Sequence, residues 1–292
     1  MVSSAPVTPR VSPRRHSQLR LSTFRAFERA AAFCAGRQLY KRFALSPGRF
    51  VVREERVTVR GLPAALAGFT IAHLSDLHGG SFLGSGDLEH VVAAVNVRRP
   101  DLAVITGDFI THDWSEALPL VDDCARIRAS HGVFAIFGNH DYRGRHEDRI
   151  ADAFGVRGIR FLRDECVKLC VGNATLALVG LEDLEEAKAV DLAKARATVT
   201  ADEVEILLCH NPSSARILAR PGCAVILSGH THGMQMDVPY LRTLGPKHPG
   251  IRVEIGTTTL IVSRGLGVVG LPLRLFAPPE IVFVTLVRAE ER

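Results

Sequence analysis

Four consecutive residues, Gly138-Asn139-His140-Asp141, bring an amide oxygen, an imidazole and a carboxylate into one short stretch of the chain. The Asn oxygen can bind a hard cation and the His can donate a proton, while an adjacent Asp can fix the His tautomer and raise its basicity. Gly, Asn and Asp are also common turn residues, so the stretch taken alone is more typical of an ordinary turn. Its meaning depends on what the other apolar segments of the chain carry.

Five apolar segments of the sequence each end in side chains that can bind a metal ion. These side chains are Asp76 and His78, Asp108, Asn139 and His140, His210, and His230 and His232. The set combines imidazoles with carboxylates and contains no thiolate, which favours Mn²⁺, Fe²⁺, Zn²⁺ or Co²⁺ over Ca²⁺. Each residue alone has a simpler explanation, since Asp76 could cap a helix and His210 could be a hydrogen-bonded core imidazole. Because all five segments end in potential ligands, we predict a metal site.

The segments that must position these residues alternate between strand and helix patterns in the first half of the chain. Residues 69–74, 102–106 and 132–137 are apolar runs typical of buried strands. A helix opened by Asp87 follows the first run, and Ser115 is expected to cap the helix after the second. This order predicts parallel strands joined by right-handed crossovers, with their carboxyl ends at one edge of a sheet.

Beyond residue 157 the pattern changes to short strands separated by turns, which predicts a second and more antiparallel sheet. Its strands are expected at residues 158–162, 166–171, 175–180, 204–209 and 223–227, with two late strands at 260–263 and 281–287 closing it and a polar helix around 190–197. The fourth and fifth of these strands lead directly into His210 and into the stretch that holds His230 and His232.

Composition indicates an ordinary globular protein. With 292 residues, 47% of them hydrophobic and 23% charged, the chain can bury the core of one large or two small domains. Its six cysteines include no Cys-x-x-Cys pair, which predicts a reducing compartment without disulfides. Residues 1–60 hold thirteen basic and three acidic residues, a net charge of +10, whereas the remainder holds 23 basic and 28 acidic residues, a net charge of −5. We therefore expect a basic N-terminal segment at residues 1–55 and one domain at residues 56–292.

The N-terminal segment has two parts. Residues 1–17 are rich in Ser, Pro and Arg, as in disordered chains, and no apolar stretch is long enough for a signal peptide or a transmembrane helix. Residues 19–35 show an amphipathic helix pattern, with Phe side chains on one side and Arg25, Glu28 and Arg29 on the other. Such a basic helix either anchors the protein at a membrane surface or docks on its own domain.

The order of the motifs resembles that of the calcineurin-like metallophosphoesterase superfamily. The chain contains Asp-x-His, Gly-Asp, Gly-Asn-His-Asp, His and Gly-His-x-His, in this order, between residues 57 and 292. The tail, with Val262-Ser-Arg-Gly-Leu-Gly267, Pro272-Leu-Arg274 and Pro278-Pro-Glu-Ile281, resembles the YkuE/YaeI branch of bacterial phosphoesterases, some of which are UDP-2,3-diacylglucosamine pyrophosphatases of lipid A synthesis. The resemblance implies an α/β fold, a four-layer αββα sandwich of two mixed sheets flanked by helices.

The resemblance also implies a site for two divalent metal ions, which would be Mn, Fe, Zn or Co. Its pattern assigns Asp76, His78 and His232 to one ion, Asn139, His210 and His230 to the other, and Asp108 to both. A two-metal site needs ions ~3.5–4 Å apart, and one shared carboxylate offsets their repulsion. His140 would act as the general acid on the leaving oxygen, with Asp141 orienting its imidazole.

One position departs from the usual pattern of that branch, Gly-His-Thr-His-Gly-Gly-Gln. Met234 stands at the second glycine of this pattern, so a substrate cannot be transferred from relatives that keep the glycine. We expect Arg264 and Arg274 to bind the phosphates of the substrate, and Met234 and Met236 to contact acyl chains. Together with the basic N-terminal segment, these residues predict a diacylated nucleotide-sugar at an anionic membrane surface as the substrate.

The predicted function is therefore a metal-dependent phosphoesterase or pyrophosphatase, cytoplasmic and peripheral to the inner face of the membrane. A phosphodiesterase of soluble small molecules and a non-catalytic scaffold are the alternatives, although a decayed site should have lost a ligand and all seven ligand positions are present. A protein phosphatase would contain Gly-Asp-x-x-Asp-Arg-Gly and Gly-Asn-His-Glu, which differ from the motifs of this chain. Nucleic acid is not expected as a partner, because the net negative charge of the domain repels a polyanion.

Overall fold

Twelve β-strands in the described part of the chain, residues 18–235 and 250–289 of the computed structural model, form two six-stranded sheets. The strands are β1 (Val51–Val59), β2 (Thr70–Leu74), β3 (Leu102–Thr106), β4 (Val133–Ile136), β5 (Ile159–Phe161), β6 (Glu165–Val171), β7 (Ala174–Gly180), β8 (Val204–Leu208), β9 (Cys223–Ser228), β10 (Arg252–Ile255), β11 (Thr258–Val262) and β12 (Glu280–Arg288). The first sheet has the order β1-β12-β2-β3-β4-β5 and the second β10-β11-β9-β8-β7-β6. Both are mixed, because β12 pairs antiparallel with β2, β6 with β7, and β10 with β11.

Helices connect the parallel strands. The α-helices of residues 18–235 and 250–289 are α1 (Gln18–Ala31), α2 (Arg37–Tyr40), α3 (Glu89–Arg98), α4 (Leu118–Cys124), α5 (Glu147–Gly155), α6 (Leu192–Ala195) and α7 (Ala215–Leu218). Helices α3, α4 and α5 each follow one strand of the first sheet and precede its parallel neighbour, as in βαβ units. Within these described ranges, no helix combines the length and the apolar character that crossing a bilayer requires.

The central strands β3, β4, β8 and β9 are buried on both faces, so successive residues of one strand belong to different parts of the core. In β3, Leu102 and Val104 pack into a cluster made of strand residues from both sheets. Their neighbours Ala103 and Ile105 pack into the cluster that contains the helix residues. The layers are therefore helix, sheet, sheet and helix, which confirms the predicted α/β sandwich.

Two strands belong to a different sheet from the one predicted. β5 lies beside β4 in the first sheet, with Val133 opposite Ile159 in a parallel pair. β12 lies between β1 and β2 in the first sheet and does not close the second. A short apolar run fits many interior positions of a sheet, so its neighbours are decided by long-range packing. The cap predicted at Ser115 is also different, because the Asp113 side chain accepts the N–H of Ser115 (3.0 Å) and caps this segment.

The predicted N-terminal helix is confirmed, but it ends earlier than expected. α1 stops at Ala31, and the next turn contains Ala35 in the left-handed conformation (φ 66°). β1 runs across residue 55 and pairs with β12, so the predicted boundary between segment and domain falls inside a strand and stays a prediction. All six cysteines are free. The predictions for residues 1–17 and for Met236 lie outside the described residues.

Candidate metal centre

The loops after β2, β3 and β4 of the first sheet meet the loops after β8 and β9 of the second sheet. They carry the predicted ligands, and five of these have a positive φ: Asp76 (51°), His78 (47°), Asp108 (56°), His230 (69°) and His232 (51°). A residue other than glycine rarely adopts this left-handed conformation, which costs about 1–3 kcal/mol. Strain concentrated in this way points to a functional site, where the surrounding packing maintains it.

Two glycines beside the ligands allow these loops to approach each other. A Cβ atom on Gly138 would lie 2.3 Å from Asp108 Oδ1, and one on Gly229 would lie 1.9 Å from Ser75 Oγ. Both distances are far below van der Waals contact, so a larger residue would push the loops apart. The glycines of the Gly-Asn-His-Asp and Gly-His-x-His motifs therefore have a steric role at the junction of the two sheets.

One group of predicted ligands is compact. We call Asp76, His78 and His232 the aspartate group, and their potential ligand atoms, with those of Asp108, all lie within 4.8 Å of one another. His232 Nε2 is 3.0 Å from His78 Nε2 and 3.4 Å from Asp76 Oδ1. His78 Nδ1 lies 3.1 Å from the Ile110 carbonyl oxygen, which can only accept. Nδ1 is therefore the protonated nitrogen, and the lone pair of Nε2 is directed into the group.

The remaining ligands, Asn139, His210 and His230, form what we call the asparagine group. His230 Nδ1 is 2.9 Å from Asn139 Oδ1, and the rings of His210 and His230 meet edge to face with 5.2 Å between centroids. Asp108 joins the two groups, because its Oδ2 lies 3.4 Å from His78 Nε2 and 3.4 Å from His210 Nε2. The fold thus brings all the predicted ligands together, with Asp108 between the two groups.

His210 tests whether the site fits a metal ion. Its Nδ1 donates to the Thr106 carbonyl oxygen at 2.6 Å, whereas its Nε2 is buried without a hydrogen-bond partner. Burial disfavours a charge on this ring, but the carboxylates of Asp108 and Asp76 raise the pKa of His210 well above its usual value. A cation bound beside Asp108 would replace that proton, because metal ligands must be deprotonated. The orphaned nitrogen and the excess of buried negative charge both fit a metal ion.

Two further imidazoles of the site, those of His232 and His230, have pKa values that are lowered by their surroundings. Burial lowers the pKa of His232 well below its usual value, and His78 and Arg274 act in the same direction. Burial and the neighbouring His210 also lower the pKa of His230. A neutral imidazole is the form that binds a metal ion. The site therefore offers the mixed imidazole, carboxylate and amide donors that divalent transition metals prefer.

His140 lies in the site without belonging to either ligand group. Its backbone N–H donates to Asp108 Oδ1 (2.9 Å), and its Nδ1 donates to the Thr111 carbonyl oxygen (3.0 Å). Its Nε2 lies 3.3 Å from Arg143 Nη2. Burial lowers the pKa of His140 well below its usual value, with Asp108 opposing this effect and Arg143 adding to it. Because Nδ1 is engaged, Nε2 is the atom that can exchange a proton with a bound molecule.

Asp141 does not contact the His140 imidazole, contrary to the prediction that it orients this ring. Its buried carboxylate accepts backbone N–H groups from Gly138 (2.8 Å), Asp108 (2.9 Å), Phe109 (2.8 Å) and Ile110 (3.2 Å). Four donors occupy the carboxylate, and the His140 imidazole donates to Thr111 instead. Asp141 therefore fixes the loop after β3 against the loop after β4.

Arg274, predicted to bind substrate phosphate, is occupied by the chain itself. It donates to the carbonyl oxygens of Gly267 (3.0 Å), Arg264 (2.8 Å) and Ala277 (3.2 Å). Its Nη2 also lies 3.3 Å from His232 Nδ1. A guanidinium group has five N–H donors, and these contacts leave none of them directed at a substrate. Arg274 therefore packs against His232 of the aspartate group, and its role in phosphate binding stays a prediction.

The two other predicted substrate contacts lie beside the same loop. Arg264 Nε is 3.5 Å from a carboxylate oxygen of Glu280, which is fully buried, so this arginine compensates a buried charge. This pairing does not support a free phosphate-binding role for Arg264. Met234 lies in the short 3-10 turn that begins at His232, and it is half-buried. Its contact with a substrate stays a prediction.

Several residues that contact the site carry no recognised motif: Glu28, His112, Arg143 and Glu185. Arg143 follows His140 by three residues in the same turn, a spacing that could have revealed it. Glu28 is the only acidic residue among the first 53, and it is buried rather than on the exposed face as predicted. His112 and Glu185 have no comparable signal, because only the folded chain brings Glu185 Oε1 to 3.9 Å from His230 Nε2.

Fold and site together define the class of this protein. Two mixed sheets hold buried carboxylates and imidazoles where their strand ends face each other, in a cluster suited to two metal ions. Paired metal ions held in this way are used for the hydrolysis of phosphate esters. The protein is a metal-dependent phosphoesterase.

Comparison with known proteins gives its family. Residues 69–234 match the model of the calcineurin-like phosphoesterases, and the chain belongs to that family. The uncharacterized metallophosphoesterase YkuE of Bacillus subtilis (strain 168) is 30% identical over 274 residues, which cover 90% of this chain and 94% of YkuE. These matches confirm the resemblance predicted from the motifs.

Two further matches are more limited. A transmembrane protein with metallophosphoesterase domain from Danio rerio is 29% identical over 82% of this chain, and the match spans only 57% of that longer protein. Among solved structures, TT1561 of Thermus thermophilus aligns with a TM-score of 0.48 at 12% identity, over 68% of this chain and 91% of that one.

Proposed function

We propose that this protein hydrolyses phosphoester or pyrophosphate bonds with two divalent metal ions, Mn, Fe, Zn or Co, and that its natural substrate is amphiphilic. The observation that carries the first part is the position of Asp108, whose Oδ2 lies 3.4 Å from one imidazole of each ligand group. A carboxylate between two sets of imidazoles suits a pair of cations, because it offsets the charge of both.

Each ligand group would hold one ion, with Asp108 shared between them. When bound, the two ions supply Lewis-acid stabilisation of the charge that develops on the phosphoryl group. The chain supplies position: Asp141 ties together the loops after β3 and β4, and Arg274 braces His232. Ligands that are fixed before the reaction do not have to reorganise during it. This preorganisation is the main source of electrostatic catalysis.

His140 would donate a proton to the leaving oxygen from Nε2. Without a bound substrate, burial and Arg143 hold the pKa of this imidazole well below its usual value, against the effect of Asp108. The negative charge of a phosphoester beside Nε2 acts in the opposite direction and raises this pKa, which favours the protonated form that a general acid needs. Arg143 donates to Nε2 at 3.3 Å while this nitrogen is unprotonated, so it fixes the orientation of the ring before the proton is taken up.

The test of this role compares leaving groups in the His140→Asn variant. A positioned general acid contributes ~10²–10⁴-fold, mainly when the leaving alkoxide is poor. We therefore expect a large loss of kcat on alkyl phosphoesters and a much smaller loss on 4-nitrophenyl esters, whose leaving group needs no proton. Metal content should equal that of the wild type. Equal losses on both esters would show that His140 only positions the substrate.

An exposed apolar loop beside the site supports an amphiphilic substrate. This loop, residues 271–276, has four large apolar side chains that are 39–81% exposed: Leu271, Leu273, Leu275 and Phe276. Its Arg274 contacts His232, so the loop borders the aspartate group. The Gln235 amide holds the start of this loop, because it donates to the Val269 carbonyl oxygen and accepts the Val269 N–H at 3.0 Å each. Apolar side chains exposed around a polar site are typical of a surface that binds lipid.

The N-terminal helices add to this surface. Phe33, Leu39 and Phe43 are 93%, 48% and 58% exposed, and α1 lies beside the 271–276 loop because Glu28 accepts the Gly270 N–H (2.7 Å). The net charge of +10 in residues 1–60 attracts an anionic membrane, at about 1 kcal/mol for each basic residue near the surface. We therefore propose a diacylated nucleotide-sugar at the inner membrane surface, such as UDP-2,3-diacylglucosamine, as the substrate.

Sedimentation with anionic phospholipid vesicles tests the membrane contact. We expect the wild type to sediment at low salt, and the double variant Leu273→Ser/Phe276→Ser to sediment much less. The matched control is Val156→Ser/Ile217→Ser, which removes side chains that are 82% and 71% exposed after α5 and in α7. Wild-type protein that stays in the supernatant at low salt, or equal losses in both double variants, would remove the membrane from the proposal.

Hydrolysis rates test the substrate. The Leu273→Ser/Phe276→Ser variant should lose activity on UDP-2,3-diacylglucosamine and keep it on bis(4-nitrophenyl) phosphate. A wild type that hydrolyses only the soluble ester would favour a phosphodiesterase of soluble molecules. One contact favours that alternative: Arg37 Nε lies 2.6 Å from Asp87 Oδ2, so the N-terminal helices dock on the domain itself. Metal-loaded protein that hydrolyses neither ester would favour a non-catalytic scaffold.

A further inference from the structure

Helix α1 places one acid inside the protein. Glu28 is only 1% exposed, although α1 is otherwise basic and lies at the surface. Its Oε2 is 2.5 Å from His112 Nε2, and its Oε1 accepts the Gly270 N–H at 2.7 Å. Burying a carboxylate is unfavourable unless donors compensate it. Glu28 therefore has a defined partner on each oxygen, one in the loop after β3 and one next to the 271–276 loop.

The donors and acceptors that lead from Glu28 to the site are mutually consistent. A carboxylate only accepts, so His112 carries its proton on Nε2 and its Nδ1 is an acceptor. His112 Nδ1 lies 3.3 Å from Arg143 Nη1, and a guanidinium group only donates. Arg143 Nη2 lies 3.3 Å from His140 Nε2, and the Nδ1 of the same ring donates to the Thr111 carbonyl oxygen. The chain Glu28, His112, Arg143, His140 thus fixes one tautomer at each imidazole.

Arg143 has a second contact that fixes its direction. Its Nη1 donates to the Thr111 carbonyl oxygen, the same atom that accepts from His140 Nδ1. The backbone of His112 is itself held from α1, because Arg25 Nη2 donates to its carbonyl oxygen at 2.8 Å. Helix α1 therefore holds the loop after β3, and the Thr111 carbonyl oxygen in this loop accepts from both Arg143 and His140.

We propose that Glu28 is a positioning residue of the enzyme, which acts from helix α1 through His112 and Arg143 on the His140 imidazole. This inference rests on the function proposed above, in which His140 donates a proton to the leaving group. Glu28 does not touch the substrate. It decides whether His112 Nδ1 can accept from Arg143, and so whether Arg143 can donate to His140 Nε2 and hold this ring in one orientation before Nε2 takes up the proton that it passes to the leaving oxygen.

The first experiment uses Glu28→Gln, which preserves shape but replaces one acceptor by a donor. The Gly270 N–H can only donate, so the amide oxygen must face it and the amide nitrogen must face His112 Nε2, which drives His112 to the tautomer protonated on Nδ1. We expect kcat on an alkyl phosphoester to fall about tenfold more than kcat on a 4-nitrophenyl ester, which is part of the ~10²–10⁴-fold that a general acid contributes. KM and metal content should change little.

Two controls separate positioning from the docking of the helix. Arg29→Gln changes an exposed residue of the same helix and should leave both rates unchanged. Arg37→Gln removes the contact of α2 with Asp87 and leaves Glu28 of α1 with both of its partners. We expect Arg37→Gln to lower both rates in equal proportion. If Glu28→Gln also lowers them in equal proportion, its effect is structural and the proposal is overturned.

A readout independent of activity is the ¹⁵N chemical shift of the imidazole nitrogens, which reports the tautomer. In the Glu28→Gln protein the His112 and His140 shifts should both move, and in Arg29→Gln neither should. An active wild type combined with a Glu28→Gln protein of unchanged rates and shifts would overturn the positioning role alone. A metal-loaded wild type inactive on both esters would instead refute the proposed function, whatever the shifts show.

Arg143→Gln keeps the test decisive if Glu28→Gln does not fold. This variant leaves α1 intact, and it should produce the same preference for the nitrophenyl ester. Where both variants fold, the double variant Glu28→Gln/Arg143→Gln should be no slower on alkyl esters than Arg143→Gln alone, because residues of one chain of contacts are not additive. Additive losses in the double variant, or Arg143→Gln losses equal on both esters, would overturn the proposal.

Discussion

The two ligand groups differ in charge. The aspartate group combines its own carboxylate, Asp76, with the shared Asp108, and the potential ligand atoms lie within 4.8 Å of one another. Among its predicted ligands the asparagine group has only the shared carboxylate, and its remaining oxygen belongs to the neutral amide of Asn139. A divalent cation gains more electrostatic stabilisation from two carboxylates than from one. The comparison indicates two metal sites of unequal affinity, with the tighter one at the aspartate group.

The groups are alike in how they are assembled. Each takes ligands from both sheets: Asp76 and His78 follow β2 while His232 follows β9, and Asn139 follows β4 while His210 follows β8. Neither group exists until the carboxyl ends of the two sheets are packed together. Metal binding should therefore stabilise the contact between the sheets, because a ligand of the folded state shifts the folding equilibrium.

The largest effect is expected from Asp108→Ala, which removes the ligand shared by the two groups. The bound metal should fall from about two ions per chain to nearly none, and hydrolysis should be lost with it. Metal analysis of the purified protein, by plasma mass spectrometry, measures this. Retention of about two ions per chain would show that Asp108 does not bridge the groups and would break the comparison.

The next effect concerns unequal affinity. Asp76→Asn removes a charge from the aspartate group and should weaken binding of the tighter ion about a thousandfold, since two unit charges 4 Å apart interact by about 4 kcal/mol at an effective dielectric constant of 20, and about 1.4 kcal/mol is a factor of ten. Competition with a chelator of known affinity should be biphasic in the wild type. Asn139→Asp is the matched reverse change and should bring the two phases closer. A single phase in the wild type would mean that the groups are equivalent.

A smaller effect is expected from Arg274→Gln, which removes the contact with His232 Nδ1. Partners that orient a ligating His typically contribute about 10–100-fold to metal affinity. The loss should affect only the tighter phase of the chelator competition, because Arg274 contacts no ligand of the asparagine group among the described residues. Arg274→Lys keeps the positive charge but loses the planar guanidinium group, so it should recover part of the lost metal affinity. Weakening of both phases would contradict this.

The smallest effect at neutral pH is expected from His73→Gln, in the strand that leads to Asp76. Burial and the Arg53 charge lower the pKa of His73 from 6.5 to about 3. The unfolded chain takes up this proton below pH 6.5 while the folded protein does not, so stability is lost as pH falls from about 6.5 to 3, at up to about 1.4 kcal/mol per pH unit.

Unfolding of metal-free protein by urea, measured between pH 7 and pH 4, checks this stability loss. His73→Gln should flatten the pH dependence, whereas the control His90→Gln, whose side chain is 39% exposed, should not. If the free energy of unfolding depends on pH equally in the wild type and in His73→Gln, the loss of stability in acid comes from the two ligand groups instead.

The sequence determined the parts of this site that depend on local order. Each ligand follows its own apolar strand, and parallel strands in one sheet place their carboxyl ends together, so the positions of Asp76, Asp108 and Asn139 could be predicted. The glycine before Asn139 could be recognised as part of a motif, although its reason, the 2.3 Å approach to Asp108, is visible only in the fold.

Tertiary structure decided what the remaining side chains contact. Arg274 and Asp141 were expected to serve the substrate and the general acid, yet both are occupied by backbone groups that lie elsewhere in the sequence. Glu28 fits the polar face of a helix by its periodicity. Its burial is compensated by His112, which is 84 residues away in the chain but has its Nε2 only 2.5 Å from the Glu28 carboxylate. A local pattern specifies the type and the strand of a residue, whereas the partner of a polar side chain depends on which distant donors the packed sheets bring within hydrogen-bond distance.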